Sequence, residues 1–149
     1  LPKGEATIKL TLVDKDGKIF LSLDKQEDKV AVLTSVGKQY GINFNKEELN
    51  KFKKINSFGV PIKQMKSFLA LKTEEQDRIV GKMGIPCDSL NNQFKVWVKE
   101  ARLQNENLRI AIKADQNTPY PQIKKVMSSL QDIKENRYNL ITSLKTIEN

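Results

Sequence analysis

Two stretches near the start of the chain, residues 7–13 and 19–23, alternate apolar and polar side chains with a period of two. Their apolar positions are Ile8, Leu10, Leu12, Ile19, Leu21 and Leu23. Such alternation is typical of a β-strand that buries one face. The segment between the stretches contains Asp16-Gly17, a pair that favours the positive φ angles of a tight turn. The pattern therefore predicts an opening β-hairpin.

The middle of the chain carries helix start and stop signals at short intervals. Residues 29–40 are predicted to form a helix that ends at a glycine, which readily takes the left-handed conformation of a C-terminal cap. Asn45 and Glu48 have the spacing of a capping box and predict a second helix. Pro61 and Thr73 are predicted to open two further short helices.

Beyond this section the periodicity becomes stronger. Asp88 or Ser89 is predicted to cap a helix over residues 91–103. Its apolar residues at i, i+3, i+4 and i+7, a spacing typical of a core face, are Phe94, Trp97, Val98 and Ala101. Residues 108–114 alternate again and predict a strand.

The end of the chain predicts one more helix and one more strand. Pro119 or Pro121 is expected to open the helix. The apolar stripe of this helix is Ile123, Val126, Met127, Leu130 and Ile133. Residues 137–142 are predicted to form the closing strand.

These elements predict an α/β (α+β) fold in a single domain spanning residues 1–149. The expected architecture is a mixed sheet with an N-terminal β-hairpin and a C-terminal βαβ unit. Helices pack on one face of that sheet. The short helices of about residues 41–90 form a helical insertion between its two parts.

Composition excludes several kinds of chemistry. The chain has no histidine and one cysteine, Cys87, so it has no Ser-His or Cys-His nucleophile pair and no His/Cys zinc site. Paired acids at Glu47-Glu48 and Glu74-Glu75 lie in predicted first helical turns, where the helix dipole favours negative charge. No phosphate-binding glycine motif is present. The residues therefore indicate a binding or scaffold domain, not an enzyme, and imply no cofactor or metal.

The net charge of +8 is carried mostly by lysine, with only four arginines, and it is spread along the chain. This distribution favours a solvated lysine-rich surface. The alternative is weak attraction to an anionic surface such as lipid headgroups or a cell-wall polymer. Residues 45–69 hold six lysines against two glutamates, so any basic patch is expected there.

Residues 110–121, Ile-Ala-Ile-Lys-Ala-Asp-Gln-Asn-Thr-Pro-Tyr-Pro, resemble the hallmark of the ExbD/TolR family of biopolymer transport proteins. In that family a hydrophobic strand ends in a basic-small-Asp turn, shortly before a Tyr that starts a helix. Leu1-Pro2-Lys3 is similar to the Leu-Pro that follows the family's membrane anchor. The resemblance covers about residues 1–35 and 90–145. The insertion departs from the compact family domain and resembles longer members from the Bacteroides group.

The resemblance implies a periplasmic domain, held to the bacterial inner membrane by a single upstream transmembrane helix. Such proteins work with an ExbB-type proton channel and pass energy to a TonB-type protein that drives outer-membrane transport. The alternative is a TolR-like envelope-integrity protein that binds peptidoglycan. A nucleic-acid adaptor is the weaker rival, because the chain is poor in arginine and aromatic residues.

Two sets of site residues follow. The last strand is expected at a sheet edge, where it pairs with a second copy in a homodimer or with a TonB-type segment. The residues proposed for this pairing are Arg137, Tyr138, Leu140 and Thr142. The family-motif turn is expected to be structural: Asp115 fixes the turn, Pro119 opens the helix, and Tyr120 packs the helix start against the sheet.

Overall fold

The computed structural model describes residues 6–13, 18–135 and 138–142. Its strands are β1 (Ala6–Val13), β2 (Lys18–Leu23), β3 (Cys87–Asp88), β4 (Asn91–Asn92), β5 (Leu108–Ala114) and β6 (Asn139–Thr142). Its helices are α1 (Gln26–Gln39), α2 (Lys46–Lys53), α3 (Met65–Ala70), α4 (Thr73–Ile79), α5 (Gln93–Gln104) and α6 (Tyr120–Asp132). Single 3-10 turns cover Ile62–Gln64 and Val80–Lys82.

Four of the strands form one mixed sheet in the order β2-β1-β5-β6. β1 is antiparallel to β2 and parallel to β5, and β5 is parallel to β6. The predicted N-terminal hairpin, the C-terminal βαβ unit and the α/β class are therefore confirmed. The turn predicted at Asp16-Gly17 lies outside the described residues.

Burial along β5 shows which face of the sheet the helices cover. Leu108, Ile110, Ile112 and Ala114 are buried, whereas Arg109 and Lys113 between them are exposed. Since successive side chains of a strand point to opposite faces, one face packs on the core and the other is open to solvent. The prediction of helices on one face is confirmed.

The insertion is attached to the free side of β2. The backbone N–H of Leu21 donates to Phe58 O at 2.8 Å, and the N–H of Phe58 donates to Leu21 O at 2.9 Å. Further along, the N–H of Ile85 donates to Ile19 O at 3.0 Å. The insertion therefore covers an edge of the sheet that would otherwise present unpaired backbone groups.

An aromatic cluster joins the insertion to α5. Phe52, Phe58 and Trp97 are fully buried. The Phe58 ring centroid lies 4.8 Å from that of Phe52 and 4.7 Å from that of Trp97. Each such contact contributes roughly 0.5–1.5 kcal/mol beyond the buried area. The cluster packs residues 52–58 of the insertion against α5 in the main core.

A buried lysine links α1 to the same insertion. Lys29 donates through Nζ to the carbonyl of Ile55 and, at 3.4 Å, to that of Lys53. These carbonyls end α2, where a positive charge is favourable. Burial lowers the pKa of Lys29. The insertion is thus tied to the main domain through both apolar and polar contacts.

The start of α5 corrects the sequence prediction. Neither Asp88 nor Ser89 caps this helix; Asn92 does, because its side chain accepts the N–H of Lys95 at 3.1 Å. The residues before it form the small hairpin β3–β4, whose Cα partners are Asp88 with Asn91 and Cys87 with Asn92. A two-residue strand is too short for alternation to show in the sequence.

Gly59 provides a test of how closely the insertion lies on β2. A Cβ at this position would stand 2.2 Å from the Phe20 ring and 2.8 Å from Ile19 O. Gly59→Ala is therefore expected to lower the free energy of unfolding by about 1–3 kcal/mol. A Cβ at Gly81 meets nothing within 4 Å, and Gly81→Ala is expected to be neutral or slightly stabilising. Urea unfolding of both variants measures this difference, and equal stability would contradict the close packing.

Candidate functional site

Among the described residues, β6 is the edge of the main sheet that nothing covers. In the described part of the chain it pairs with β5 alone, with Ala111 to Ala114 opposite Asn139 to Thr142. The opposite edge, β2, is covered by Phe58. An uncovered edge strand presents backbone N–H and C=O groups that a further strand can pair with. This edge is the candidate functional site.

The structure places the predicted pairing residues unevenly. Leu140 and Thr142 lie in β6, at register positions opposite Ile112 and Ala114. Tyr138 comes just before the strand and is half-buried against the core. Arg137 lies outside the described residues.

A shallow cavity of about 390 Å³ lies at the start of β6. Tyr138 lines it together with Arg102 and Arg109, which come from α5 and β5. Arg102 is bonded to Glu135 and to the carbonyl of Glu106, so the group that the cavity offers to an approaching segment is the half-buried ring of Tyr138. The cavity therefore extends the candidate site beyond the strand itself.

Arg102 holds the connection that leads into β6. Its Nε and Nη2 donate to the two carboxylate oxygens of Glu135 at 2.9 and 2.8 Å. Its Nη1 donates to the carbonyl of Glu106 at 2.7 Å. One guanidinium thus joins the segments that precede β5 and β6. The sequence does not predict this role of Arg102, because nothing in the spacing of Arg102 and Glu135 indicates that they meet.

The end of α6 adds a second constraint. The N–H of Glu135 donates to Leu130 O at 2.8 Å and that of Lys134 to Gln131 O at 2.9 Å, the two bonds of a Schellman motif. Lys134 takes a φ of 62°, in the left-handed region that usually holds glycine. The direction of the chain toward β6 is therefore set by backbone bonds as well as by Arg102.

The family-motif turn is built as a local unit. Asp115 Oδ1 accepts the N–H of Asn117 at 2.8 Å, and Asp115 O accepts the N–H of Thr118 at 2.9 Å. Pro119 is the N-cap of α6. The packing expected of Tyr120 is wrong: its side chain is 66% exposed. The buried stripe of α6 begins only at Ile123, so the first turn of the helix lies outside the core.

The single thiol lies in a polar contact between the small hairpin and α6. Cys87 Sγ is 3.3 Å from Ser129 Oγ, which also accepts from Asn92 Nδ2 at 2.9 Å. Burial raises the pKa of the Cys87 thiol. The protonated form therefore dominates at neutral pH, and this form is a poor nucleophile.

Lysines gather at a place that the sequence did not indicate. Some of the lysines in residues 45–69 form ion pairs within the insertion, as Lys66 does with Glu48 at 2.8 Å. A second group surrounds the hairpin β3–β4 and comes from distant parts of the chain: Lys18, Lys82, Lys95, Lys124 and Lys125. No linear charge run could have predicted this convergence.

The described residues contain no group of three or more His, Cys, Asp or Glu side chains placed to hold a metal ion. None of the helices in this part of the chain combines the length and apolarity needed to cross a membrane.

Comparison with known proteins gives no significant match to a family model, a curated protein or a solved structure.

The connection into β6 is testable at Arg102. Arg102→Lys keeps the charge but loses the paired bonds to Glu135, so it is expected to lower the free energy of unfolding by roughly 1–2 kcal/mol. It should also speed amide hydrogen exchange in β6, because the segment before this strand is released. Arg78→Lys, on an exposed position of α4, is the matched control. Equal behaviour of the two variants would show that Arg102 does not hold the edge.

Proposed function

We propose that this chain is the periplasmic domain of an ExbD-like component of the bacterial inner membrane. It works with an ExbB-type proton channel to power TonB-dependent transport across the outer membrane. An upstream helix anchors the domain, which pairs with a second copy in a homodimer or with a segment of a TonB-type protein. Its contribution is binding, and the surface that binds is the β6 edge.

The observation that carries this proposal is the difference between the two sheet edges. Phe58 covers β2, while β6 has one partner strand among the described residues. A partner in extended conformation can add to such an edge through backbone hydrogen bonds and obtain selectivity from alternate side chains. The Asp115 turn also lies directly between β5 and α6, where the resemblance to the ExbD/TolR family is strongest.

The geometry suits a domain that receives a peptide without transforming it. Tyr138 and two arginines line a shallow cavity beside the strand. An added segment can place a side chain in this cavity. Arg102 and the turn at Lys134 fix the direction of approach to β6. A rigid edge loses little conformational entropy when a segment pairs with it.

The alternative is a TolR-like domain that binds peptidoglycan. The lysines around the hairpin β3–β4 favour it, since cell-wall polymers are anionic. Sedimentation with purified cell wall separates the two functions. Pelleting that survives disruption of β6 supports the alternative.

Proline substitutions test the edge directly. Successive N–H groups of an edge strand point to opposite sides, and proline removes one of them. Leu140→Pro and Ile141→Pro therefore remove one bond toward β5 and one N–H on the open side. We expect the variant that retains native circular dichroism to lose self-association and binding to an extended TonB-type segment.

The matched controls are Leu140→Ala and Ile141→Ala, which shorten the same side chains but keep the N–H groups. Sedimentation velocity over a concentration series measures self-association, and fluorescence anisotropy measures peptide binding. A proline variant with intact fold, unchanged dimerisation and unchanged peptide binding would eliminate strand addition at β6.

The location is tested on the native protein. Peptide mass spectrometry of the full-length protein, purified from its own membranes, is expected to find an apolar segment of ~20 residues upstream of Leu1. We expect one acidic residue in it, because intramembrane acids are costly and usually functional. Recovery of the protein from the soluble fraction without such a segment would refute the ExbD-like assignment.

A further inference from the structure

The tip of the β3–β4 hairpin carries the most exposed large hydrophobic side chain in the described part of the chain. Leu90 is 99% exposed. Burial of a leucine side chain is favourable, and this residue gains none of that stabilisation in the folded domain. The next such residues are Leu103, at 75%, and Tyr120, at 66%.

The hairpin holds Leu90 outward by specific bonds at its base. Asn92 Nδ2 donates to Ser129 Oγ of α6 at 2.9 Å. The N–H of Phe94 donates to Pro86 O at 3.1 Å, which closes the segment below the strands. Since the base is fastened to α5 and α6, the tip is presented to solvent as part of the fold.

Cationic cavities lie on both sides of this hairpin. One cavity, of about 280 Å³, lies between the hairpin and the start of β2. The other, of about 540 Å³, is lined by the hairpin and α6. Five lysines line them: Lys18, Lys82, Lys95, Lys124 and Lys125. Asp88 and Asp132 are the acidic residues there, and they face Lys125 at 3.8 Å and Lys95 at 2.8 Å. The surroundings of the tip therefore remain positive.

The start of α6 reaches the larger of these cavities through Pro121, and it carries an exposed aromatic residue, Tyr120. Ser89 and Pro121 line the same cavity, and they are the chain neighbours of Leu90 and Tyr120. A projecting leucine, an exposed tyrosine and lysines are the residues that proteins place at the boundary between water and lipid.

We propose that the hairpin tip docks on an anionic lipid bilayer, with Leu90 inserted below the headgroups and the lysines against their phosphates. Charge complementarity favours an anionic surface. A bilayer accounts for Leu90 better than a protein partner does, because one projecting side chain provides far less area than the ~800 Å² per partner of a stable protein interface. A fluid layer needs no matching pocket. This docking is independent of strand addition at β6.

Sedimentation of the purified protein with lipid vesicles tests the proposal. The wild type is expected to bind vesicles of equal parts phosphatidylglycerol and phosphatidylcholine, and not vesicles of phosphatidylcholine alone. Leu90→Ser should weaken binding about tenfold through loss of apolar insertion. Leu103→Ser removes another exposed leucine and is expected to bind like the wild type.

Two triple variants that have the same net charge test the lysines. Replacing Lys82, Lys124 and Lys125 together by glutamine should weaken binding roughly a hundredfold, since each lysine near an anionic surface contributes about 1 kcal/mol. The same replacement of Lys54, Lys63 and Lys72, exposed residues of the insertion, should change it little. Equal losses in the two triple variants would reduce the effect to overall charge and overturn the proposal. So would an unaffected Leu90→Ser variant, or no binding to anionic vesicles at low salt.

Discussion

The antiparallel bridge between Leu21 and Phe58 is the contact on which the rest of the architecture depends. It joins the insertion to the sheet by two backbone hydrogen bonds, while the Phe58 ring packs between Phe52 and Trp97. One residue thus satisfies the exposed backbone of β2 and anchors the aromatic core. Without it, the middle of β2 would present unpaired backbone groups, and the insertion would keep the backbone bond from Ile85 to Ile19 of this strand.

Covering one edge determines what the other edge can do. A sheet with two open edges can add copies on both sides, so the assembly can grow without limit. A sheet with one open edge can pair with one further copy, and the assembly then stops at a dimer. Two copies paired through β6 satisfy each other in a symmetric dimer and leave no strand exposed. A TonB-type segment added to the same edge would compete with that dimer. The insertion therefore bears on the proposed function through the edge that it covers.

Local patterns predicted the main elements well, and they failed where distant segments meet. The alternation of residues 108–114 and the capping box at Asn45 and Glu48 both appear in the structure. These signals act within a few residues, so one sequence contains them. The sequence carries no such signal for the covering of β2, because Phe58 makes a single bridge in an irregular segment. Lys134 likewise gives no indication of its left-handed backbone, which the Schellman bonds impose.

The candidate site was predicted in part for the same reason. The last strand was expected at an edge as a hypothesis, but the residues that surround this edge lie elsewhere in the chain. Arg102 reaches Glu135 across 33 positions, and the hairpin lysines come from four separate parts of the chain. Only tertiary packing brings such groups together, and no periodicity in one segment reports it.

Both proposed surfaces are built on α6, and this relates them physically. Ser129 in this helix receives the hairpin through Asn92, and the turn after the helix directs the chain into β6. The helix itself packs on the core through Val126 and Leu130. Because packed helices behave as rigid bodies, a bilayer bound at the hairpin tip would fix the orientation of the β6 edge relative to the membrane. A partner segment that approaches this edge would then meet it in one orientation, which reduces the rotational freedom lost on binding.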